Sequence, residues 1–470
     1  MKCKLFVLLI LVHALSCKPL TYIPAFEETE MRPGGDMTAK RLSDRTFILA
    51  GDGISNMDEL RFWTGLSLFK NPWVIGPSST TDRDGLGPLF HTRSCISCHI
   101  GGARGHASPE GISKPSGLVL RLGPTGRNTP MSDPIYGGQI QPRGIRFAHQ
   151  RLPEPVKGEA KLDLSITQIT RHYADGEAYT LYKPMYQLAE LAYGPIQEGI
   201  GISPRFAPAI YGLGLIDAIG DKEFLALEDP RDDNSDGISP RYNRVPNVAT
   251  GDLEIGRFGF KAKHPTLVQQ VAAAFRDDIG ITNPMFPDES CTTHQNDCHI
   301  ASALGGGSSV EIPGKLISLV NDFTYWLAVP PARNILDEEV QRGRSMFFNA
   351  ECHACHTPSF TTSPDYPDPN LANQKIYPYS NFALHDMGPE LADGVSEYDA
   401  DGREWRTPPL WGIGLQQQFR SKTRYLHDGR AKTLEEAILW HGGEGAKSRD
   451  KFINFNKSDR ESLIAFIKSI

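Results

Sequence analysis

Two cysteine pairs, each followed directly by a histidine, are the residues of this chain best suited to chemistry. They lie far apart, at Cys95-Ile96-Ser97-Cys98-His99 and Cys352-His353-Ala354-Cys355-His356. The C-x-x-C-H pattern is the attachment signature of c-type haem, in which two thiols add to the porphyrin vinyl groups and the histidine binds the iron from the proximal side. Because the pattern occurs twice, the sequence predicts two covalently bound haem c groups.

Two further cysteines lie close together, in the segment Cys291-Thr-Thr-His294-Gln-Asn-Asp-Cys298-His299. A local disulfide between Cys291 and Cys298 is the simpler prediction for a protein in an oxidising compartment. A metal site that uses both cysteines with His294 and His299 is the alternative, although the spacing is not a standard zinc pattern.

A short acidic segment has the alternation of a calcium-binding loop. Asp232, Asn234 and Asp236 precede Gly237, as the ligands at positions 1, 3 and 5 precede a glycine in such loops. Position 12, usually a glutamate, is Asn243 here. An EF-hand helix pair is therefore not expected, and the choice is between a lone calcium loop and a solvated acidic turn.

The first residues have the features of a bacterial export signal. Two lysines precede an apolar run over residues 5–15 that is too short to span a bilayer. The run ends at Ala14-Leu15-Ser16-Cys17, which resembles a lipobox. We therefore expect a lipoprotein-type signal peptide over residues 1–17 and a periplasmic or outer-membrane-anchored protein, with the membrane contacted through a lipid on Cys17. Simple cleavage nearby is the alternative.

The composition indicates an ordinary globular protein with room for two or three domains. The chain has 470 residues, of which 39% are hydrophobic and 22% are charged. A net charge of only −7 gives no reason to expect a nucleic-acid partner. The 45 glycines and 35 prolines predict much irregular structure, so the expected fold class is mainly α with extensive irregular loops.

Helical spacing of apolar residues surrounds both cysteine motifs. It predicts helices over Asn56–Lys70, with Asn56 as N-cap, and over Leu336–Phe348, each ahead of one motif. It also predicts helices over Leu316–Leu327 and, as the last element, Ser458–Ile470. No strong strand alternation is apparent. A helix before the motif and a helix after it are typical of cytochrome c folds.

The expected domain organisation is two cytochrome c-like haem domains in tandem. The predicted segments are a tether over 18–50, an N-terminal haem domain over 51–220, a connecting region over 221–335 that holds the calcium-like loop and the cysteine loop, and a C-terminal cytochrome c domain over 336–470.

Several further segments carry a family resemblance. They include Gly85-Leu-Gly-Pro-Leu-Phe-His91, Tyr136-Gly-Gly-Gln139, Ala192-Tyr-Gly-Pro-Ile196, Gly256-Arg-Phe-Gly-Phe260, Leu384-His385-Asp386-Met387-Gly388, Arg406-Thr-Pro-Pro-Leu-Trp411 and Tyr425-Leu-His427-Asp428-Gly429-Arg430. With the two haem motifs, they resemble the bacterial di-haem cytochrome c peroxidase and MauG superfamily. The chain is most similar to its di-haem oxidoreductase family, often labelled thiol oxidoreductase. The resemblance implies a haem-dependent oxidoreductase, but no residue pattern supports a thiol substrate.

The resemblance implies a distal ligand for the C-terminal haem. In the peroxidase and MauG relatives, the residue fourteen positions after the histidine of the His-Asp-Gly motif is that ligand, and here this position is His441. A short amphipathic helix from Thr433 to His441 would project the imidazole onto a haem face. His356 and His441 together would saturate the iron, which suits electron transfer. His427, Asp428 and Arg430 are expected to fix the haem propionates or the surrounding loop.

The resemblance is poorer at the N-terminal haem. The peroxidase relatives place a glutamine and a glutamate around the Gly-Pro-Ile segment, whereas Leu191 occupies the glutamine-like position here and Glu198 stands at a different offset. Gln139, Glu198 and Arg205 are the catalytic candidates, with Gln141 and Arg143 as further polar residues. His385 and Met387 could each ligate iron or only pack in their turn.

Three functions fit these predictions. The first is a peroxidase-like enzyme, whose N-terminal haem, held by His99, binds peroxide or oxygen while the C-terminal haem relays electrons from a small donor protein or a small-molecule reductant. The second is a di-haem electron carrier without catalysis. The third is a di-haem oxygenase that acts on an organic substrate. The N-terminal haem is expected to be the reactive one because no histidine or methionine stands at a comparable distal position.

Overall fold

The structure, a computed structural model, describes residues 23–108, 111–126, 131–146, 149–304, 310–419 and 423–470. The predicted signal peptide and the beginning of the tether lie outside these ranges. Within them, none of the helices combines the length and the apolar character needed to cross a bilayer.

The α-helices of the described ranges are spread along the chain. They are α1 (Asn56–Lys70), α2 (Leu213–Asp217), α3 (Asp221–Leu225), α4 (Leu267–Ala274), α5 (Asn296–Leu304), α6 (Gly314–Tyr325), α7 (Glu338–Asn349), α8 (Ile413–Phe419), α9 (Leu434–Leu439), α10 (Ala446–Asn454) and α11 (Lys457–Ser469). The predicted helices are confirmed as α1, α6, α7, α9 and α11. The N-cap of α1 is Ser55 rather than Asn56, since the Ser55 side chain accepts the Asp58 amide.

The helix ahead of each cysteine motif crosses a second helix at a glycine. In α1, a Cβ added to Gly65 would stand 1.9 Å from the carbonyl oxygen of Leu319 in α6. In α7, a Cβ added to Gly343 would stand 1.8 Å from the carbonyl oxygen of Ser462 in α11. Both pairs therefore pack backbone against backbone, which only glycine allows at that position.

The same two helix pairs place aromatic rings beside the motif histidines. Phe69, four residues after the glycine of α1, lies 4.9 Å from Phe323 and 6.2 Å from His99 between ring centroids. Phe347 of α7 lies 5.5 Å from Phe466 and 6.5 Å from His356.

Each motif is therefore preceded by a helix that packs against a second helix in the same way. Helix α6, from the predicted connecting region 221–335, is the partner of the first helix and packs in its core. The organisation into two cytochrome c-like domains, and their boundaries, stay a prediction.

Strands are more numerous than the sequence indicated. They are β1 (Leu89–Phe90), β2 (His106–Ser108), β3 (Gly111–Ser116), β4 (Leu118–Pro124), β5 (Arg143–Gly144), β6 (Lys161–His172), β7 (Ala178–Ala189), β8 (Ile200–Phe206), β9 (Arg244–Pro246), β10 (Leu253–Ile255), β11 (Phe360–Thr361), β12 (Lys375–Ile376), β13 (Leu384–Asp386) and β14 (Glu404–Arg406). All pair as two-stranded antiparallel ribbons. The expected lack of strands is thus wrong, and the mainly helical class holds only in part.

The longest ribbon is the hairpin of β6 and β7, which joins the two halves of the molecule. Leu162 and Leu188 at its base pack in the cluster that holds β4 and β8. Leu181, near its tip, is buried in the core around α7 and α11. Arg460 of α11 donates to Asp175 and Glu177 at the tip, each at 2.8 Å. The hairpin therefore ties the region that follows the first motif to the core around the second.

Candidate functional site

The second cysteine motif opens onto a cavity, called the second cavity below because it lies at this motif, and the histidine of the motif is already oriented. His356 Nδ1 donates to the carbonyl oxygen of Tyr379 at 2.9 Å, which fixes the tautomer and leaves Nε2 for a metal. Burial lowers the pKa of His356 to about 4, so the imidazole is neutral and able to coordinate. Cys352 and Cys355 line the same cavity.

His441 lines this cavity as well, and its ring is held in the same way. Thr433 caps α9 by accepting the Glu436 amide, and the helix ends at Leu439, two residues before His441. His441 Nδ1 donates to the carbonyl oxygen of Ala437 at 2.8 Å, which again leaves Nε2 available. Burial lowers the pKa of His441. Two thiols and two neutral imidazoles around one cavity fit a haem with histidine on both faces.

His385 and Met387 also line the cavity. Both ring nitrogens of His385 are engaged: Nδ1 lies 2.5 Å from Glu444 Oε2, and Nε2 lies 3.0 Å from Asn381 Nδ2. His385 therefore braces the loop that carries Glu444, and both of its ring nitrogens have protein partners. The Met387 side chain is a wall of the cavity.

His427 and Arg430 have different positions. His427 stacks on Trp405 with centroids 3.7 Å apart and planes 11° apart, and both rings line the cavity. Arg430 binds Asp428 at 2.8 Å and the carbonyl oxygen of Glu390 at 2.5 Å, and it is not among the described residues that line the cavity. Of the two roles predicted for Arg430, the structure supports fixing the loop.

The first motif has the same proximal arrangement. His99 Nδ1 donates to the carbonyl oxygen of Pro208 at 2.8 Å, and burial lowers the pKa of His99 to about 4. Gly117, at φ +83°, packs on the motif so closely that a Cβ would stand 2.8 Å from the carbonyl oxygen of Cys98. The residues of this motif thus also fit a haem with a neutral histidine ligand.

Two buried glutamines lie beside an acidic pair near the first motif. Gln139 Nε2 donates to the Asp277 carbonyl oxygen at 2.8 Å and to Asp278 Oδ1 at 2.9 Å. Gln141 Nε2 donates to the same Asp277 carbonyl oxygen. The Oε1 atoms of both glutamines are buried and have no hydrogen-bond partner in the described part of the chain. Two acceptor oxygens are therefore left for a ligand.

Asp278 lies close to the first motif. Burial, and then the charge of Asp278, raises the pKa of Cys95 and Cys98 to about 12. Burial also raises the pKa of the Asp278 carboxyl. Asp278 belongs to a π-helical turn, Phe275–Ile279, a local geometry that often marks functional sites.

Asp278 was not among the candidates predicted from the sequence. The signal was present in Val271-Ala-Ala-Ala-Phe-Arg-Asp-Asp-Ile279, where two adjacent acids interrupt an apolar helix.

The three catalytic candidates from the sequence are not brought together. Gln139 lies by Asp278, as described. Arg205 forms an ion pair with Glu397 at 2.8 Å, and its guanidinium lies 5.8 Å from the ring of Trp405, on the side of the second cavity. Glu198 is exposed on the loop before β8. Only Gln139 keeps a place near the first motif.

The cysteine loop is settled by the structure. Cys291 and Cys298 form a disulfide, so the simpler prediction is confirmed. His294 and His299 lie within hydrogen-bond distance of the carbonyl oxygens of Pro134 and Thr292. The metal-site alternative is therefore wrong.

In the calcium-like loop, side-chain oxygens accept hydrogen bonds from backbone amides of the same loop. Asp232 and Asn234 side chains accept the amides of Asp236 and Gly237. Among the residues described, no group of three or more acidic, histidine or cysteine side chains is placed to hold a metal ion. Calcium binding stays a prediction of the sequence.

Two motifs with pinned proximal histidines, one of them facing a second histidine across a cavity, define a di-haem protein. The comparison with known families agrees. The model of the family described as di-haem oxidoreductase, putative peroxidase, matches residues 125–470, and the chain belongs to this family. The match includes the second motif and His441 but begins after the first motif. No curated protein matches the chain.

Proposed function

We propose that this oxidoreductase is a peroxidase with two covalently bound haem c groups, in which the haem at His99 reacts with peroxide and the haem at His356 passes electrons to it. The observation that carries the proposal is the pair His356 and His441, which line one cavity with both Nδ1 atoms held by backbone carbonyls. A haem held by both histidines would be closed to peroxide, which would leave the haem at His99 as the reactive one.

Bound haem iron supplies the one-electron chemistry and the O–O cleavage. The chain supplies the polar groups beside it. The unpartnered Oε1 atoms of Gln139 and Gln141 can each accept an O–H of hydrogen peroxide, which has two such donors. Asp278, whose pKa is raised by burial, can hold the proton that peroxide cleavage has to move from one oxygen to the other.

Direct contact between the two halves supports electron passage. Arg104, five residues after His99, donates to the carbonyl oxygens of Arg424 and Leu426 at 3.0 and 2.7 Å. Leu426 and His427 line the second cavity, so the loop of the first motif touches the wall of the second. The electrons come from a small donor protein or a small-molecule reductant.

Counting haems while measuring turnover tests this proposal. A pyridine haemochrome assay of the purified holoprotein should give two haems per chain. The double variant Cys95→Ala, Cys98→Ala should give one haem and lose peroxide-dependent oxidation of a reduced dye. The matched variant Cys352→Ala, Cys355→Ala should also give one haem but keep peroxide binding. Two haems without any peroxide turnover would favour the electron carrier, and dioxygen incorporation into an organic substrate would favour the oxygenase.

We also propose that the protein is exported and anchored by a lipid on Cys17, on the pattern of residues 1–17. Radiolabelled palmitate should enter the wild-type protein and be lost in Cys17→Ser. The matched variant Cys3→Ser should keep the label. If neither the wild-type protein nor Cys3→Ser takes up label, and the mature protein is released from the membrane, then the signal peptide is removed by simple cleavage without lipid attachment.

A further inference from the structure

Two arginines, the buried Arg104 and the partly buried Arg406, line the second cavity without a carboxylate partner in the described part of the chain. Arg104 is 7% exposed, and its Nε and Nη2 atoms donate hydrogen bonds to backbone carbonyl oxygens. Arg406 donates Nε to the carbonyl oxygen of Gly259 at 2.8 Å. Burial lowers the pKa of both guanidinium groups, that of Arg406 to about 10. In the part of the chain that the structure describes, neither cation forms an ion pair.

Two other arginines with little exposure are neutralised by carboxylates. Arg205 meets Glu397 at 2.8 Å, and Arg121 meets Asp277 at 2.6 Å. A buried charge is costly unless it is paired, because the protein interior solvates it poorly. Arg104 and Arg406 therefore leave two positive charges at the second cavity that call for an anionic ligand.

A third group on the cavity wall points to the same kind of ligand. Tyr425 lines the cavity, is 2% exposed, and its buried hydroxyl has no hydrogen-bond partner among the described residues. Burial raises the pKa of Tyr425 to about 12, so the hydroxyl keeps its proton and can donate it. Two guanidinium groups and one phenol are donors that suit carboxylates.

We propose that Arg104, Arg406 and Tyr425 bind the two propionate groups of the haem in the second cavity. The proposal rests on the proposed function in one respect, that this cavity holds a haem. Two cations would balance two propionates. Arg104 belongs to the loop of the first motif, so it would tie the propionates of one haem to the chain segment that binds the other.

The reduction potential of the second haem measures this role. Positive charge beside a haem favours the reduced state, which carries one positive charge less than the oxidised state. In Arg104→Gln and in Arg406→Gln, the potential of the bis-histidine haem should fall. Arg104→Lys and Arg406→Lys should remain near the wild type. Arg342→Gln, which removes a cation paired with Asp459 on the exposed side of α7, is the matched control and should have no effect.

A second variant with a vibrational measurement tests the proposal if the arginine variants do not fold. Tyr425→Phe removes only a hydroxyl, and it should shift the propionate bending band of the second haem in the resonance Raman spectrum. The comparison is made between proteins that retain two haems. The propionate assignment would be overturned if both glutamine variants kept the wild-type potential and Tyr425→Phe kept the wild-type band. One haem in the wild type would instead overturn the proposed function.

Discussion

At the scale of single residues, the assignment depends on hydrogen bonds to ring nitrogens. His99, His356 and His441 each give Nδ1 to a backbone carbonyl. His385 lines the same cavity as His441, but both of its nitrogens are taken by side chains. A histidine can ligate iron only through a free nitrogen, and for this reason the proposal takes His441, rather than His385, as the second ligand.

His441→Ala should open the second haem. The variant should lose the six-coordinate low-spin spectrum of that haem and bind carbon monoxide when reduced, since one of the two imidazoles is gone. His385→Asn is the matched control from the same cavity wall, and it should keep the wild-type spectrum. An unchanged spectrum in His441→Ala would remove His441 from the iron.

Asp278→Asn should lower kcat/KM for peroxide by about 10²-fold, a typical loss when an acid–base group is removed. The amide keeps the size of the side chain but cannot carry the proton. Glu198→Gln, a change of the exposed candidate from the sequence, should leave kcat/KM unchanged. Equal rates in wild type and Asp278→Asn would assign the proton transfer to another group.

Local spacing explains which site residues could be predicted. Cys95, Cys98 and His99 are close in the chain, so their proposed role can be predicted from the sequence alone. His441 was predicted from the family resemblance, which supplied its offset from His427. Asp278 could not be placed, because a π-helical turn and contacts with Gln139, far away in sequence, bring it to the first motif.

At the scale of elements, the same helix crossing is used twice. Gly65 and Gly343 let α1 and α7 meet a carbonyl of the crossing helix, and a phenylalanine four residues later lies near the motif histidine. The crossing sets the position of each cysteine motif, since each motif follows its helix in the chain.

Gly343→Ala should lower the free energy of unfolding by about 1–3 kcal/mol, because the added methyl group forces α7 and α11 apart. Gly314→Ala, at the first residue of α6, is the control: its nearest neighbour would be Pro284 Cγ at an ordinary 3.8 Å. Chemical denaturation followed by circular dichroism compares the two. Equal stability would mean that the crossing adapts without strain.

Helices were predictable and the long hairpin was not. The helices have an apolar spacing that stands out within a dozen residues. The hairpin shares its apolar residues between two different cores, Leu162 facing one and Leu181 the other, so neither face alternates cleanly along its whole length. The turn signal, Asp175-Gly176 between two runs rich in β-branched and aromatic residues, was available in the sequence.

At the scale of the whole molecule, two hydrogen-bonded connections fix the positions of the two motifs relative to each other. Arg460 fastens the hairpin tip to α11, and Arg104 reaches from the loop of the first motif to Leu426. Both join parts of the chain that are far apart in sequence. These connections fit the proposal of one catalyst with two centres, in which one iron would be closed by two histidines and the other would be open.

Cyanide titration of the fully oxidised holoprotein tests that claim most directly. We expect one equivalent of cyanide per two haems, bound at the haem of His99 and lost in Cys95→Ala, Cys98→Ala. Binding of no cyanide would mean that both irons are closed, as in an electron carrier. Binding of two equivalents would mean that His441 does not ligate the second iron, and either result would contradict the division of labour between the two haems.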